Sequence, residues 1–299
     1  MDIENLKNLL RRNNLKPNFT YGQNFLIDEV VLEDIVDAAN VSVEDSVLEI
    51  GPGIGNLTRR LCERAGLVLS VEKDPKFFPI LRSIKKDYPQ NFRFEIADAL
   101  KFNFQDFFKN LNSPHRQSPP LSLPPQGGEI EGYKVVANIP YFITGKILEM
   151  LMTAEFKPTS IVVLTQKEVA ERVVAKPGDL SLLAISVQLF GEPKIVRTVP
   201  ARAFFPAPKV DSAILKIDLH EKPRYEIPDE KKFFRILRAC FAGKRKQLHN
   251  TLVNNLKLEK EKTLQILEGL GIDPKTRPQE LEIGEWIALN SKLQITDSK

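Results

Sequence analysis

Along the first two thirds of the chain, short apolar runs alternate with stretches whose apolar positions recur every three or four residues. SVLEIG (46–51), LVLSVE (67–72), FRFEIAD (92–98), KVVAN (134–138) and TSIVVLT (159–165) read as five strands. Residues 56–64 and 75–86 carry the helical period between them. Strands separated by helices predict a mostly parallel sheet with helices on both faces. The uninterrupted apolar run IVVL (161–164) fits a strand buried on both sides. Residues 111–132 break the rhythm with five prolines, a Gly-Gly pair and no hydrophobic period. They predict a loop or disordered insert. It enters before the fourth strand, at the amino edge of the sheet, and ligands bind at the carboxyl edge. Past about residue 220 the texture changes. A Pro-containing linker, EKPRYEIPD (221–229), precedes four short amphipathic patterns, FFRILRACF, LHNTLVNNL, TLQILEGL and WIALNSKL. The predicted architecture is an α/β domain over 1–220 and a small all-helical domain over 221–299.

Composition narrows the possibilities. With 299 residues, 42% hydrophobic and 27% charged, the chain can bury a large core. It has no run of about 20 apolar residues, so no membrane-spanning helix is expected. The opening MDIENLKNLLRRNNLK is too charged for a signal peptide. Cys62 and Cys240 suggest neither a disulfide framework nor a metal cluster, and His115, His220 and His249 share no ligand spacing. These features predict a soluble, cytoplasmic protein without a metal. Charge is uneven. The net is +4, but residues 201–250 hold 12 basic and 6 acidic side chains, so the rest of the chain is slightly acidic. A local basic patch points to a polyanionic partner.

EIGPGIG (49–55) joins the first strand to its helix. Its glycines permit a sharp turn and close approach of a ligand to the main chain. Glu72 ends the next strand, where a carboxylate can accept hydrogen bonds from ribose hydroxyls. A dinucleotide loop requires glycine at the position held here by Asn56. The E-x-G-x-G form, with Gly51 and Gly53, resembles instead the S-adenosylmethionine loop of class I methyltransferases, whose ligand lacks a pyrophosphate. Asp98, followed by Ala99, would then reach the adenine amino group of that cofactor.

Asn138-Ile-Pro-Tyr141 ends the fourth strand at the same sheet edge. Asn-x-Pro is also a common strand terminator, but its position next to the glycine loop favours a chemical role. An exocyclic adenine amine is a poor nucleophile because its lone pair is delocalised into the ring. Acceptors on its two N–H bonds favour a tetrahedral nitrogen that can attack a methyl group. The Asn138 side-chain oxygen and a backbone carbonyl beside Pro140 supply such acceptors, and Pro140 restricts Ile139. Tyr141 offers a face for an extruded base. The amine becomes acidic once methylated, so a strong general base is unnecessary.

With these motifs the sequence resembles the ribosomal RNA adenine N6,N6-dimethyltransferases of the small subunit, over nearly the whole chain outside 111–132. The signatures are YGQNFL (21–26), EIGPGIGNLT (49–58), VEKD (71–74), ADAL (97–100), NIPY (138–141), QKEVAERV (166–173) and FFPAPKVDSA (204–213). The resemblance implies a Rossmann-like fold and dimethylation of two adjacent adenosines near the 3′ end of small-subunit rRNA, in a pre-assembled subunit, by a monomer. It implies cofactor contacts from Asn24, Leu26, Gly51, Glu72, Asp98 and Asn138, and Phe204 opposite Tyr141 about the adenine, with Phe205 structural. Gln23 and Asn24 could alternatively cap the following helix, a role open equally to Asp28. Rival expectations are a large-subunit rRNA methyltransferase of the antibiotic-resistance type and an assembly or transcription factor with little catalysis. The segment AKPGDLSLLAISVQ (175–188) departs from the family pattern. Finally, Lys244, Arg245 and Lys246 form the densest point of the basic segment and are expected to contact RNA phosphates.

Overall fold

The computed structural model describes residues 1–18, 22–111, 132–222, 224–243 and 246–294. Contacts divide the chain into two units, one of residues 1–170 and 192–219, the other of residues 171–191 and 220–299. Residues 171–191, expected in the first domain, thus cluster with the helical unit, because helix α8 (Leu182–Gln188) contributes Ala184 and Ile185 to the apolar cluster of that unit.

The first unit is built on a seven-stranded sheet. Its strands are β2 (Ser46–Ile50), β3 (Leu67–Glu72), β4 (Phe92–Ile96), β5 (Lys134–Asn138), β6 (Ser160–Gln166), β7 (Gly191–Val199) and β9 (Ser212–Leu219), in the order β4-β3-β2-β5-β6-β9-β7. From β4 to β6 the pairing is parallel, while β9 runs antiparallel to β6. All of β2 and β3 is buried, which explains their near-continuous apolar sequence. The remaining helices of this unit are α1 (Ile3–Arg12), α2 (Glu29–Ala38), α3 (Asn56–Arg64), α4 (Phe78–Asp87), α5 (Phe104–Leu111), α6 (Thr144–Met152) and the start of α7 (Lys167–Val173). A two-residue ribbon pairs β1 (Phe25–Leu26) with β8 (Phe204–Phe205).

Local chemistry sets the element ends. The Asp28 carboxylate accepts the N–H groups of Val30 and Val31 and caps α2. Capping therefore falls to Asp28, and Gln23 and Asn24 are released from it. The helix expected over 75–86 begins with a tighter 3₁₀ turn, Pro75–Phe77, under the side-chain cap of Asp74. β4 stops at Ile96, two residues short of the expected end, so Asp98 lies in the loop beyond it.

In the second unit, α9 (Glu230–Phe241), α10 (Leu248–Leu256), α11 (Lys260–Gly269) and α12 (Ile283–Lys292) bury Phe233, Leu237, Leu248, Leu252, Trp286 and Leu289. Among the described residues no helix is long and apolar enough to cross a membrane. The proline-rich insert falls, apart from its flanking residues, outside the described residues.

Candidate active site

The carboxyl ends of β2, β3 and β5 meet where the chain order reverses, since β2 is flanked by β3 on one side and β5 on the other. Open α/β sheets bind ligands at such a crevice. A cavity lies there, and its wall includes Asn24, Leu26, Gly51, Gly53, Glu72, Asp98, Ala99, Asn138, Pro140 and Tyr141. The fold thus gathers one wall from segments more than 100 residues apart in sequence.

Three glycines take positive φ in the loop after β2: Gly51 (+73°), Gly53 (+54°) and Gly55 (+80°). At Gly55 a Cβ would also lie 2.1 Å from Ile84 Cδ1 in the core, so any larger residue meets both strain and collision. The Glu72 carboxylate holds this loop. It accepts the Gly53 N–H (3.0 Å) on one oxygen and the Asp74 N–H (2.8 Å) on the other. Burial raises its pKa, against those two bonds and a further one from the Lys73 backbone. The Gly53 N–H is thereby taken by the protein's own carboxylate, an arrangement unsuited to a pyrophosphate. Asp98 accepts from Lys73 Nζ (2.9 Å) and the Leu100 N–H (3.1 Å). The lysine holds its carboxyl below the ordinary value. Glu72 and Asp98 stand in the wall with one lysine among the described residues, Lys73, which binds Asp98. That balance suits a cationic nucleoside ligand.

Glu49 is a titratable group the sequence reading did not single out. It is fully buried and takes hydrogen bonds from Thr58 Oγ1 (2.7 Å) and Ser70 Oγ (2.6 Å) on one oxygen. Burial pushes its pKa up to about 7. A folded-state value above the unfolded one means the folded protein binds this proton more tightly. The resulting stabilisation is complete below about 4.5 and is lost as pH rises through about 7. Glu49→Gln is expected to remove that slope, and urea unfolding across this pH window checks it. A slope unchanged in the variant would show that Glu49 is not the titrating group.

Asn138 ends β5. Its amide nitrogen donates to the Asn24 carbonyl at 3.3 Å. A carbonyl only accepts, so this contact fixes which end of the amide faces Asn24 and leaves Oδ1 as the other end. Among the described residues neither Asn138 Oδ1 nor the Ile139 carbonyl accepts a hydrogen bond. Pro140 O, by contrast, is occupied by the Ile143 N–H. Tyr141 is half-buried, and its hydroxyl shares a 2.7 Å hydrogen bond with Ser212 Oγ at the start of β9. Burial raises the phenol pKa while Ser212 opposes the rise. Ser212 lies within the FFPAPKVDSA run, which explains in part why that run accompanies NIPY.

Phe204 departs from expectation. It is 3% exposed in the apolar core and is not part of the cavity wall, while Phe205 is the more exposed of the pair and lies under Lys7 Nζ at 5.5 Å. Pairing in the β1–β8 ribbon sets Phe204 opposite Leu26, which does line the cavity. Phe204 therefore backs the wall through Leu26. Asn56 Nδ2 donates to the Leu26 carbonyl (2.9 Å), and Gln23 Nε2 donates to Asp74 (3.2 Å). These bonds tie Leu26 to the start of α3 and Gln23 to the turn after β3. Their spacing of 30 and 51 residues hid them from sequence reasoning. Of the basic cluster, Lys246 is exposed after α9, and Lys244 and Arg245 lie outside the described residues.

Comparison with known proteins agrees with this geometry. Residues 14–294 match the family described as Ribosomal RNA adenine dimethylase. Ribosomal RNA small subunit methyltransferase A from Clostridium botulinum (strain Okra / Type B1) is 40% identical over 284 residues, covering 94% of this chain and 96% of that protein. The protein of the same name from Moorella thermoacetica (strain ATCC 39073 / JCM 9320) is 38% identical over 288 residues, covering 96% of each. Among solved structures, a dimethyladenosine transferase from Plasmodium falciparum superposes with a TM-score of 0.70 at 28% identity, covering 90% of this chain and 98% of that one. The 23S rRNA methyltransferase ErmE superposes at 0.65 with 27% identity, covering 90% and 99%.

Proposed function

Because this chain belongs to the ribosomal RNA adenine dimethylase family, we propose that it transfers methyl groups from S-adenosylmethionine to N6 of two adjacent adenosines near the 3′ end of small-subunit rRNA. The observation that carries this reading is the pair of acceptors, Asn138 Oδ1 and the Ile139 carbonyl, which take no hydrogen bond among the described residues and lie beside Tyr141 in the cavity wall. Identity near 40% over almost the full length of proteins named for the small subunit favours that substrate over the large subunit.

The residues present fit the cofactor. Its nucleoside would be held by Glu72 and Asp98 with Ala99, and its cationic end would lie in a wall where these two acids outnumber the one lysine among the described residues. Gly51 keeps that wall open: a Cβ there would point at the Asn138 carbonyl and Pro140 Cδ, 3.9 Å from each. When bound, S-adenosylmethionine supplies an electrophilic methyl carbon. Asn138 and Ile139 accept the two N–H bonds of the target amine and draw its lone pair out of conjugation. Tyr141 holds the base by its ring, and Ser212 fixes that ring through the hydroxyl. Phe204 supports the wall behind Leu26.

The protein acts in this reading as a cytoplasmic monomer on a pre-assembled subunit, with the cluster Lys244, Arg245 and Lys246 on RNA phosphates. Changing all three to Gln is expected to flatten the slope of log K against log salt by about 2–3 units. Cofactor affinity should be retained. RNA binding across a salt series, beside calorimetry with S-adenosylmethionine, measures both, and an unchanged slope would remove the cluster from the interface. The function itself is tested by mass spectrometry of rRNA from cells lacking the protein. Loss of dimethyladenosine from the small-subunit rRNA is expected. Loss confined to the large subunit would overturn the assignment.

A further inference from the structure

Phe142 follows the NIPY segment and is 65% exposed, an unusual position for a phenylalanine in a cavity wall. Its ring lies against the YGQNFL segment. A Cβ built on Gly22, whose φ is +60°, would meet the Phe142 ring at 3.6 Å and Pro140 Cβ at 3.7 Å. The glycine thus lets the main chain approach the ring from one side, while the high exposure leaves ring surface open to solvent. Four residues on, at the first turn of α6, Lys146 is exposed and forms no ion pair among the described residues. Gly145, between them, has nothing within 4 Å of where its Cβ would stand. An open aromatic ring, a bare step and, one turn away, an ammonium in no ion pair among the described residues together match one nucleotide, base on ring and phosphate on lysine.

We propose that Phe142 and Lys146 form a platform at the mouth of the cavity that holds the adenosine adjacent to the one being methylated. The inference rests on the assignment of adjacent adenosines above. Tyr141 and Phe142 are consecutive, so the residue gripping the extruded base and the residue carrying its neighbour are fixed to each other by one peptide unit. The target and its neighbour are likewise joined by one phosphodiester. Such a platform makes Phe142 a substrate-positioning residue: it fixes the register of the strand, so that either of the two adenosines can enter while the other waits outside. Exposure of a large apolar ring at this point is otherwise unfavourable, since burial of apolar surface stabilises the folded chain.

The test is a double-mutant cycle between protein and RNA. Wild-type and Phe142→Ala proteins are assayed on reconstituted small subunits whose rRNA carries either both adenosines or an abasic site in place of one. Methylation of the remaining adenosine is read by mass spectrometry. On intact subunits Phe142→Ala should raise the KM for the subunit about tenfold, and Phe142→Trp should restore it. The abasic site should cost the wild type a similar factor. In the combination the two losses should not multiply, because the ring and the base stack on each other. Losses that multiply to about a hundredfold would overturn the platform. Lys146→Gln should lower the salt slope of binding by about 1 unit, and an unchanged slope would remove the phosphate from the site. If the wild type methylates no adenosine of the intact subunit, the functional assignment itself fails, an outcome separate from any result of the cycle.

Discussion

Asn138→Ala is expected to lower the kcat of methyl transfer by about two to three orders of magnitude, the usual cost of deleting one preorganised hydrogen-bonding group at a developing charge. The amine must lose conjugation with the ring before it can attack, and in the proposed reading Asn138 Oδ1 is one of the two acceptors that offset the cost of that change. The fold should survive. Asn138 is the last residue of β5, and among the described residues its side chain makes a single 3.3 Å bond, to the Asn24 carbonyl. Tyr141→Ala should also abolish most transfer, because the base loses its stacking face. Tyr141→Phe separates stacking from anchoring. It keeps the ring and loses only the bond to Ser212, worth about 1 kcal/mol, so activity within roughly tenfold of wild type is expected. Transfer of radiolabelled methyl groups to immature small subunits measures all three. Near-normal rates in both alanine variants would sink the mechanism.

How much of this was legible in the sequence differs by element. Four of the parallel strands, β2, β3, β5 and β6, were readable because strands buried on both faces must be apolar along their length, and β3 and β5 begin and end where the pattern says. The edge strand β4, with only Phe92 buried, was readable from the alternation in FRFEI (92–96) instead. β7 was not, since an exposed edge strand of mixed composition, with only its two ends buried, lacks that signature. The two-residue strands β1 and β8 are too short to show any period. Within the site, the cofactor loop and NIPY were legible as local chemistry. The bonds that hold them in register were not. Ser212 to Tyr141, Asn56 to Leu26 and Gln23 to Asp74 join residues 71, 30 and 51 positions apart, and nothing local to either partner announces the other. The placement of Phe204 and Phe205 failed for a related reason. Adjacent residues of a strand face opposite ways, and only the pairing with β1 decides which faces in.

The second large effect is expected at Glu72. Its carboxylate would meet the cofactor ribose and already accepts main-chain N–H groups from Gly53 in the glycine loop and Asp74 after β3, with the Lys73 backbone a further donor. Removing it therefore takes away a ligand contact and loosens the loop that shapes the pocket. Hydrogen bonds to a charged group contribute about 1.5–3 kcal/mol each. Glu72→Ala should thus raise the Kd for S-adenosylmethionine by on the order of 100-fold, equivalent to about 3 kcal/mol. Glu72→Gln keeps the shape and one acceptor, but turns an amide N–H towards a backbone N–H, so an intermediate loss is expected. Stability should respond less than affinity. The folded protein bears the cost of burying this carboxylate, as its raised pKa shows, and the substitution relieves that cost while it breaks the main-chain bonds. Calorimetric titration with S-adenosylmethionine, run beside urea unfolding of the same variants, separates the two effects. Unchanged cofactor affinity in Glu72→Ala would mean that the ribose is held elsewhere. A loss of stability as large as the loss of affinity would reduce Glu72 to a brace for the glycine loop.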